Sequence, residues 1–569
     1  MGKFTNTLAV LMLIVMFGLM SASSWNDSAI FDEVAHIGAG YTYLKYQDGR
    51  LNPEHPPLLK SLAALPLMFL SASGRIKENI TAQPFWKIDN VNDRQWAAGN
   101  YLLYESENNA DQILFWSRLP MILLTILFGW ILFWWVKKRY SAKAGLLTLF
   151  FYIASPTFLA HGRYVTTDVG AAFGFFLGII FFLRFLEKRD AKSLIYCGLI
   201  FGLVNLFKFS LILLLPVYLI LGALWILFNK NSYLKTAWQI ILIGLIALAI
   251  IYAAYIPQIW NYQRAEQIKD AQYILAGYQY PSLAKLDFWL AEHRLTRPIG
   301  LYAQGFLMMA RRTAGGNTAY FEGELSSKGW WLYFPTLALT KEQLGFYILA
   351  LIAFLSAARS LKPGFWQSLK PGFSPQTASF VFIIFYWISS ILNPLNIGVR
   401  HVLPTFPFLY FLVAKELSEI KRNFVIVIMM LWMVAEIIFA FPYFLSYYNE
   451  LGGGLQNGYK IATDSNYDWG QDLKRLTFWA EVNSVNTIFL DYFGGGSPKY
   501  YLGEKYEPWW SAKGPPPADS YFVVSLNSLV GNQAKPIGDI VIKPEDSYSW
   551  LKGKDPIARA GSSILIYRF

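Results

Sequence analysis

The stretch LAVLMLIVMFGLMSASSWNDSAIFDE, residues 8–33, runs from an apolar segment into two adjacent carboxylates, Asp32 and Glu33. A lysine before the apolar run and the small residues SAS after it are also typical of a cleaved secretory signal. The run is long for a signal core, however, and the acidic pair follows too closely for a mature start. We therefore interpret it as a first membrane helix that carries the acidic pair at its outer end.

The composition of the whole chain supports a membrane location. Its 569 residues are 55% hydrophobic, 18% aromatic and only 15% charged, and the mean hydropathy is +0.33. A soluble chain of this length would carry more charge. The single cysteine, Cys197, lies within an apolar run. It offers neither a disulfide framework nor a CxxC metal site, and nothing around it indicates a thiol nucleophile.

Eleven apolar segments are candidates for membrane spans. They are centred near residues 15, 127, 152, 178, 200, 219, 247, 351, 385, 409 and 434. With the N-terminus inside the cell, the cytoplasmic connections hold sixteen Lys and Arg against four Asp and Glu, and one of them carries LKPGF twice, at 361–365 and 369–373. This excess of twelve equals the formal net charge of +12. The preference of cytoplasmic loops for cations therefore explains the basic balance without nucleic-acid binding.

The pattern predicts a polytopic α-helical membrane protein with a small C-terminal α/β domain. Residues 1–445 would form the membrane domain, with outer loops at 25–112, 161–168 and 258–342, and residues 446–569 would fold outside. Four strand-like runs in this tail, NTIFLDYFG, SYFVVSLNS, GDIVIK and SSILIYRF, predict a small sheet. In DSNYDWGQDLK we expect Asp468 to cap a helix that begins with GQDLKRL.

Charged residues recur at the outer ends of the predicted spans. Asp32 and His36 stand four residues apart, so they share a face of a short helix. The others are Arg118, Asp168, Lys208, Lys341, Arg400 and His401. Each residue alone has a simpler explanation. A single Lys or Arg at such a place often extends its charged group to the membrane–water interface, and an acidic residue stabilises the start of a helix. Together, cations that bind phosphate and a carboxylate that accepts a hydroxyl proton indicate an enzyme acting on a lipid-linked phosphosugar.

The sequence indicates no certain cofactor. Asp32 and Asp168, with a histidine, offer ligands for a divalent metal, but no close spacing such as HxxxH is present, so a metal stays open. The GGG runs at 452–454 and 494–496 lack the P-loop pattern, which argues against nucleotide binding.

Several motifs resemble those of known membrane glycosyltransferases. FDEVAH followed by EHPPLLK is similar to the first-loop motif of the protein O-mannosyltransferases. SRLP, HGRYVTTD, KEQLG and RHVLPTFPFLY occur in the order of their counterparts in the wider GT-C superfamily, which includes the aminoarabinose transferase of lipid A. The tail with DSNYDWGQDLKRL and LDYFGGGSPKYYLG resembles bacterial phospholipid-carrier-dependent glycosyltransferases.

The resemblance implies a GT-C fold of about eleven transmembrane helices, with outer juxtamembrane helices over an outward-facing cavity. It also implies a polyprenyl-phosphate sugar donor and transfer with inversion. Asp32 would be the base, and Glu33 would support it or bind the acceptor. Donor phosphate would be bound by Arg118, Lys208, Lys341, Arg400 and His401. His36, His55 and the second acid, Asp168, would lie near the sugar, the acceptor or a metal.

Two departures leave the acceptor open between a protein, a glycan and a lipid. The 258–342 loop is too short for the repeats that eukaryotic O-mannosyltransferases carry there, and the folded tail is an addition. A lipid or glycan transporter, which would show inverted repeats and a midplane site, is an alternative, as is a non-catalytic envelope assembly protein. The orientation fits a bacterial inner membrane with the site facing the periplasm.

Overall fold

The computed structural model describes residues 2–229, 232–360, 374–421 and 424–569. The LKPGF duplication lies outside these residues. The described chain is mostly helical, with a small sheet region in the tail. The predicted fold class, a helical membrane protein with a C-terminal α/β domain, is confirmed at this level.

The helices carry most of the described chain. The first half forms α1 (Gly2–Ser24), α2 (Phe31–Lys45), α3 (Pro57–Ala72), α4 (Val91–Asn100), α5 (Ala110–Arg139), α6 (Ala142–Ile153), α7 (Pro156–His161), α8 (Asp168–Lys188), α9 (Ala191–Asn205), α10 (Leu214–Asn229) and α11 (Tyr233–Tyr255). The second half forms α12 (Arg264–Ile274), α13 (Pro281–Glu292), α14 (Arg297–Gly315), α15 (Tyr333–Lys341), α16 (Leu344–Ser360), α17 (Pro375–Ile391), α18 (Phe406–Glu419), α19 (Phe424–Ala440), α20 (Gly454–Asn457), α21 (Leu473–Val482), α22 (Pro498–Leu502) and α23 (Leu526–Gln533).

Five helices in the described chain are long and apolar enough to cross a membrane. They are Lys3–Ser24, Ala110–Arg139, Asp168–Lys188, Phe209–Asn229 and Tyr233–Ile259. A sixth span is formed if α15 and α16, which meet at a bend of 101°, are taken together. Several of the remaining predicted spans correspond to shorter apolar helices, such as α6, α9, α17 and α19. The number eleven therefore stays a prediction.

Helix α5 shows how the sequence sets both ends of a span. The side chain of Asn109 accepts the backbone N–H of Gln112 at 3.0 Å, which caps the outer end. The other end carries Lys137, Lys138 and Arg139, whose positive charges interact favourably with the negative pole of the helix. Between these ends, Phe128 stacks on Phe173 of α8 with ring centroids 4.8 Å apart, in an aromatic core.

The first outer loop is folded rather than extended. Helices α2, α3 and α4 occupy much of residues 25–112, and α12, α13 and α14 occupy most of the second outer loop. Pro57 begins α3 at a position where its missing N–H costs nothing. Lys60, 1% exposed, reaches back to the carbonyl oxygens of Asn52 and His55, both at 2.7 Å. The EHPPLLK motif thus fixes the turn that presents His55.

Five strands of the tail form a mixed sheet. They are β3 (Ile488–Asp491), β4 (Tyr506–Pro508), β5 (Tyr521–Ser525), β7 (Ala558–Ala560) and β8 (Ile564–Arg568), in the order β4-β3-β5-β8-β7. β3 is parallel to β4 and β5, whereas β8 is antiparallel to β5 and β7. β5 is central and therefore almost wholly buried, which explains its apolar run FVV.

Two predictions for the tail are wrong. GDIVIK at 538–543 forms no strand: it begins at Gly538, whose φ is +73°, and Val541 is 83% exposed. The helix after DSNYDW begins only at Leu473, so Asp468 does not cap it. Instead, the Asp468 carboxylate accepts the backbone N–H of Asn527 at 2.9 Å, in the first turn of α23. Asp468 therefore does accept a backbone N–H at the start of a helix, but this helix is α23 and not the one that follows it in the sequence.

A second small sheet joins the tail to the second outer loop. β1 (Ala319–Phe321) and β2 (Glu324–Ser326) form a hairpin, and β6 (Lys535–Pro536) of the tail pairs parallel to β2. The two hairpin residues, Glu322 and Gly323, both have positive φ, as tight hairpins require. This sheet fastens the tail to the membrane domain.

Candidate active site

A cavity with a volume of about 1590 Å³ lies among helices α2, α8 and α14. It is lined by the start of α2, the start of α8, the C-terminal half of α14 and the turn Val399–His401. Seven of the ten predicted site residues line it, namely Asp32, His36, His55, Asp168, Lys208, Arg400 and His401. The fold therefore brings together residues that are far apart in the sequence.

Asp32 and Glu33 point to different surroundings although they are adjacent. The Asp32 side chain is 24% exposed, and its Oδ2 accepts from Arg400 Nη1 at 2.9 Å. Its Oδ1 has no hydrogen bond to the described chain. Asp32 thus offers one free carboxylate oxygen to the cavity.

Glu33 is fully buried and belongs to the framework of the site. Its Oε1 accepts from Arg118 Nε at 2.9 Å and from the N–H of Val165 at 3.1 Å. Its Oε2 accepts from Arg118 Nη2 at 2.7 Å and from the N–H of Ile30 at 3.0 Å. Glu33 therefore ties together the start of α2, helix α5 and the turn before α8. The structure does not bring it to the cavity.

Arg400 is the central cation of the cavity. Its Nη1 contacts both Asp32 Oδ2, at 2.9 Å, and Asp168 Oδ2, at 3.4 Å. The guanidinium lies over the ring of Trp469, 4.3 Å from the ring centre. Burial alone would lower the pKa of Arg400, but the two carboxylates raise it above its usual value. Arg400 therefore stays charged.

The opposite edge of the Arg400 guanidinium is unused. Nε is buried without a hydrogen-bond partner, and Nη2 makes no hydrogen bond to the described residues. Nε and Nη2 form the edge with which arginine binds two oxygens of one anion. An unsatisfied buried donor is costly, so this edge is a candidate anion site.

Gly398 lets the turn that carries Arg400 pack closely against the tail. Its φ of +142° is a conformation that L side chains rarely adopt. An added Cβ would also lie 2.2 Å from Ser465 Oγ of the tail. The tail accordingly packs directly against the turn that carries Arg400.

Asp168 and Lys208 form a second ion pair in the cavity. Lys208 Nζ lies 2.6 Å from Asp168 Oδ1. The Asp168 side chain is 2% exposed, whereas Lys208 is 17% exposed. With Lys208 on one oxygen and Arg400 on the other, Asp168 is a buried anchor for two cations. The remaining N–H groups of Lys208 are open to a ligand.

Burial favours the neutral form of the three histidines that line the cavity. Nδ1 of His36 hydrogen-bonds the carbonyl oxygen of Val165 at 2.8 Å, and the ring meets His55 edge-on at 5.2 Å. Burial lowers the pKa of His36, although Asp32 opposes this. Burial and the nearby His36 hold the pKa of His55 well below its usual value, and burial and Lys208 do the same for His401. Neutral imidazoles can donate to or accept from hydroxyl groups.

Arg118 and Lys341 lie outside the cavity. Arg118 is 3% exposed, and besides Glu33 it binds the carbonyl oxygens of Ser24, Asp27 and Ser28. Lys341 is 2% exposed and donates to the carbonyl oxygens of Leu445, Tyr447 and Asn466 at 2.5–2.8 Å. The side-chain donors of both residues are engaged with the protein itself. Neither side chain therefore has a free donor with which to bind donor phosphate.

Two residues at the candidate site were not among the predicted site residues. Arg312 lines the cavity and pairs with Glu54, which also lines it. The tandem basic pair in MARRTAGG was the available signal, but a basic pair in an outer loop has no distinctive spacing. The buried ring of Trp469 lies against Arg400, a contact between distant parts of the sequence that no local pattern indicates.

The arrangement does not fit a metal between Asp32 and Asp168. The charged Arg400 Nη1 occupies the position between the two carboxylates. No group of three or more His, Cys, Asp and Glu residues in the described chain could hold a metal ion. The divalent metal stays an untested prediction, and no chemical step is assigned to it.

Comparison with a protein-family model supports the resemblance seen in the motifs. Residues 111–256, about a quarter of the chain, match the family described as dolichyl-phosphate-mannose-protein mannosyltransferase. This segment contains Asp168 and Lys208 of the cavity. The predicted resemblance to O-mannosyltransferases is therefore confirmed over this segment. No curated protein sequence is significantly similar to the chain.

Three solved structures are similar to the chain at low identity. The apo oligosaccharyltransferase of Archaeoglobus fulgidus is 12% identical over 93% of this chain and 71% of that one, with a TM-score of 0.48. ArnT from Cupriavidus metallidurans bound to undecaprenyl phosphate is 12% identical over 99% and 98%, with a TM-score of 0.45. AglB from Archaeoglobus fulgidus with an inhibitory peptide and a dolichol-phosphate is 13% identical over 94% and 71%, with a TM-score of 0.45.

Proposed function

We propose that this chain is a membrane glycosyltransferase that moves a sugar from a polyprenyl-phosphate donor to an acceptor hydroxyl on the outer face, with inversion. One observation carries the proposal: the free Nε–Nη2 edge of Arg400 and the free oxygen of Asp32 belong to residues joined at 2.9 Å in one cavity. An anion site and a base site thus stand side by side, as such a transfer requires.

The donor phosphate would bind the cationic side of the cavity. Arg400 offers its two-pronged edge, Lys208 its remaining N–H groups, and Arg312 a side chain that is 46% exposed. His401 can add a neutral hydrogen bond. A phosphate drawing on Arg400 would weaken its ion pair with Asp32 and free the carboxylate for the reaction.

The polyprenyl chain would follow the apolar wall of the same cavity. Ile212 and Leu213, which lie in the candidate span Phe209–Asn229, and Phe306, Met308 and Met309 of α14 line this wall. Apolar walls beside a cationic end suit a lipid with a phosphate headgroup. This arrangement supports a lipid-linked donor over a free sugar nucleotide.

The transfer is a single displacement. The acceptor oxygen bonds to the anomeric carbon while the bond from that carbon to the phosphate oxygen breaks. Asp32 takes the acceptor proton, and the electron pair leaves on the polyprenyl phosphate, which Arg400 and Lys208 stabilise. A retaining route would need a second carboxylate as nucleophile. Asp168 is a poor nucleophile because it is 2% exposed and engaged by two cations.

The finer details of the proposal rest on the family match. A mannosyl or related hexosyl or pentosyl donor is our choice because residues 111–256 match a mannosyltransferase family. We place the protein in a bacterial inner membrane with the cavity facing the periplasm, on the basis of the cation distribution in the sequence.

The test is a transfer assay with the full chain in lipid. Polyprenyl-phosphate mannose, glucose and aminoarabinose, each radiolabelled, are incubated with envelope extract. Label should pass to an acceptor with the wild type. Asp32→Asn should lower turnover about 10²–10⁴-fold, since it removes the base, while still binding donor. The control Asp519→Asn changes an exposed tail residue of the same type.

Two outcomes would contradict the proposal. Normal turnover by Asp32→Asn would show that Asp32 is not the base. Donor that binds, or crosses the bilayer, without loss of its sugar would instead support the transporter alternative.

A further inference from the structure

A second cavity adjoins the first. It has a volume of about 420 Å³ and lies between the first outer loop and residues 494–498 of the tail. Phe31 and Trp96 line both cavities, and their ring centroids are 4.5 Å apart. We call this second cavity the aromatic cleft. Its size is that of a small-molecule site, and it begins at the residue next to Asp32.

Aromatic rings shape the walls of the aromatic cleft. Phe31, 37% exposed, stacks on Phe493 with ring centroids 5.5 Å apart. Tyr104 donates a hydrogen bond to the carbonyl oxygen of Gly495 at 2.9 Å, which fixes the glycine loop. Fixed ring faces offer flat apolar area at little entropic cost.

Polar groups in the aromatic cleft lack protein partners. The amide of Asn100, the carboxylate of Glu105 and the indole N–H of Trp96 make no hydrogen bond to any described residue. The cleft therefore presents an amide, a carboxylate and an N–H donor beside ring faces. This combination satisfies hydroxyl groups on a ring with apolar faces.

Charge excludes an anionic occupant. None of the described residues that line the aromatic cleft is Lys, Arg or His, and Glu105 adds a negative charge. The cations Arg400, Lys208 and Arg312 line only the first cavity. A phosphorylated lipid headgroup would meet repulsion here.

We infer that the aromatic cleft is the acceptor subsite and that the acceptor is an uncharged saccharide. This inference rests on the proposed function. A terminal sugar would lie against Phe31 and Trp96, hydrogen-bond Asn100 and Glu105, and present a hydroxyl to Asp32. The donor would occupy the first cavity. The transferase thus extends a glycan, rather than modifying a protein side chain or a charged lipid.

The experiment separates acceptor binding from transfer. Binding of maltose and cellobiose to the full chain in nanodiscs is measured by saturation-transfer NMR, and each sugar is then tested as acceptor with the best donor. The variants are Asn100→Ala and Glu105→Gln, because Asn100 and Glu105 line only the aromatic cleft. Each should raise the KM for the saccharide about tenfold, which corresponds to one lost hydrogen bond, and leave donor binding unchanged.

Controls keep the interpretation independent of folding. Glu504→Gln makes the same change on an exposed carboxylate outside the aromatic cleft and should have no effect. Trp96→Phe keeps a ring and should bind better than Trp96→Ala. Asp32→Asn should bind the saccharide normally without transferring to it.

The outcomes distinguish the two proposals. Transfer to a Ser/Thr peptide or to a lipid, unaffected by Asn100→Ala and Glu105→Gln, would overturn the saccharide inference and leave the transferase intact. Saccharide binding that depends on Asn100 and Glu105, without transfer from any donor, would support the subsite and overturn the transferase.

Discussion

Glu33 and Arg118 form a buried two-pronged ion pair, with Nη2 2.7 Å from Oε2 and Nε 2.9 Å from Oε1. Their side chains are 0% and 3% exposed. Asp32, one residue earlier, instead faces the cavity. The acidic pair in the first turn of α2 thus joins a carboxylate that faces the cavity to one that belongs to the framework positioning it.

Substitution of Glu33 should therefore damage folding before chemistry. Glu33→Gln keeps the size of the side chain but removes the ion-pair partner of the buried Arg118, at a cost of about 3–5 kcal/mol. We expect a clear loss of apparent Tm in detergent and a low yield of folded protein. Glu504→Gln, on an exposed carboxylate, should unfold like the wild type. If Glu33→Gln has a normal Tm but no turnover, Glu33 takes part in the reaction directly.

Arg400→Lys tests the two-pronged anion edge. Lysine keeps the charge but has no planar fork. We expect the KM for the polyprenyl-phosphate donor to rise about tenfold or more, equivalent to at least one charge-assisted hydrogen bond, with a smaller change for the acceptor. Arg294→Lys, on an exposed arginine of the second outer loop, is the matched control. An unchanged donor KM would place the phosphate elsewhere.

The sequence predicted the class of fold from local quantities, whereas the side of the membrane stays a prediction. Apolar length, cation placement and the strand runs FLD, FVV and ILIY each depend on residues close together in the chain. The prediction of a strand at GDIVIK was wrong because the run pairs with no strand of the described chain, and its Val541 is 83% exposed. Propensity alone does not reveal whether a partner strand exists.

The site was predictable as a set but not in its internal assignment. Seven of the ten candidates line one cavity because charges at membrane depth need a partner or a cavity. Which of them are partners depends on contacts across long separations, such as Arg118 with Glu33 or Lys341 with the carbonyl oxygens of the tail. The aromatic cleft forms where the first loop meets residues 494–498. Because these segments are far apart in the sequence, no local pattern predicts the cleft.

Lys341 should behave as a structural cation. Its ammonium group donates to three carbonyl oxygens, including that of Asn466 at 2.7 Å. Lys341→Met keeps the length of the side chain and removes all three hydrogen bonds, which should cost about 1–3 kcal/mol for each charge-assisted bond. We expect a lower Tm and faster proteolysis of the segment around Asn466, with a donor KM close to wild type. A raised donor KM at unchanged Tm would instead show that Lys341 takes part in binding the donor phosphate.

The buried Asp468 predicts a pH dependence of stability. Burial raises the pKa of Asp468 to about 7 from an ordinary value of 3.8, helped by the nearby Asp472 and opposed by the N–H of Asn527. Between pH of about 4 and 7, the folded state keeps a proton that the unfolded state has lost, so stability falls as pH rises. Above pH of about 7 the full cost of the buried charge is present.

Asp468→Asn removes this titration while keeping one oxygen that can accept the N–H of Asn527. The stability of the variant relative to wild type should therefore increase as pH rises from about 4 to about 7. The expected change in the difference between their free energies of unfolding is on the order of 1–4 kcal/mol, and the Tm difference should increase with it. Thermal unfolding in buffered detergent across this range measures the difference. Asp519→Asn, on an exposed aspartate, should show a constant offset. A difference that stays constant with pH for Asp468→Asn as well would mean that Asp468 remains ionised in the folded protein throughout.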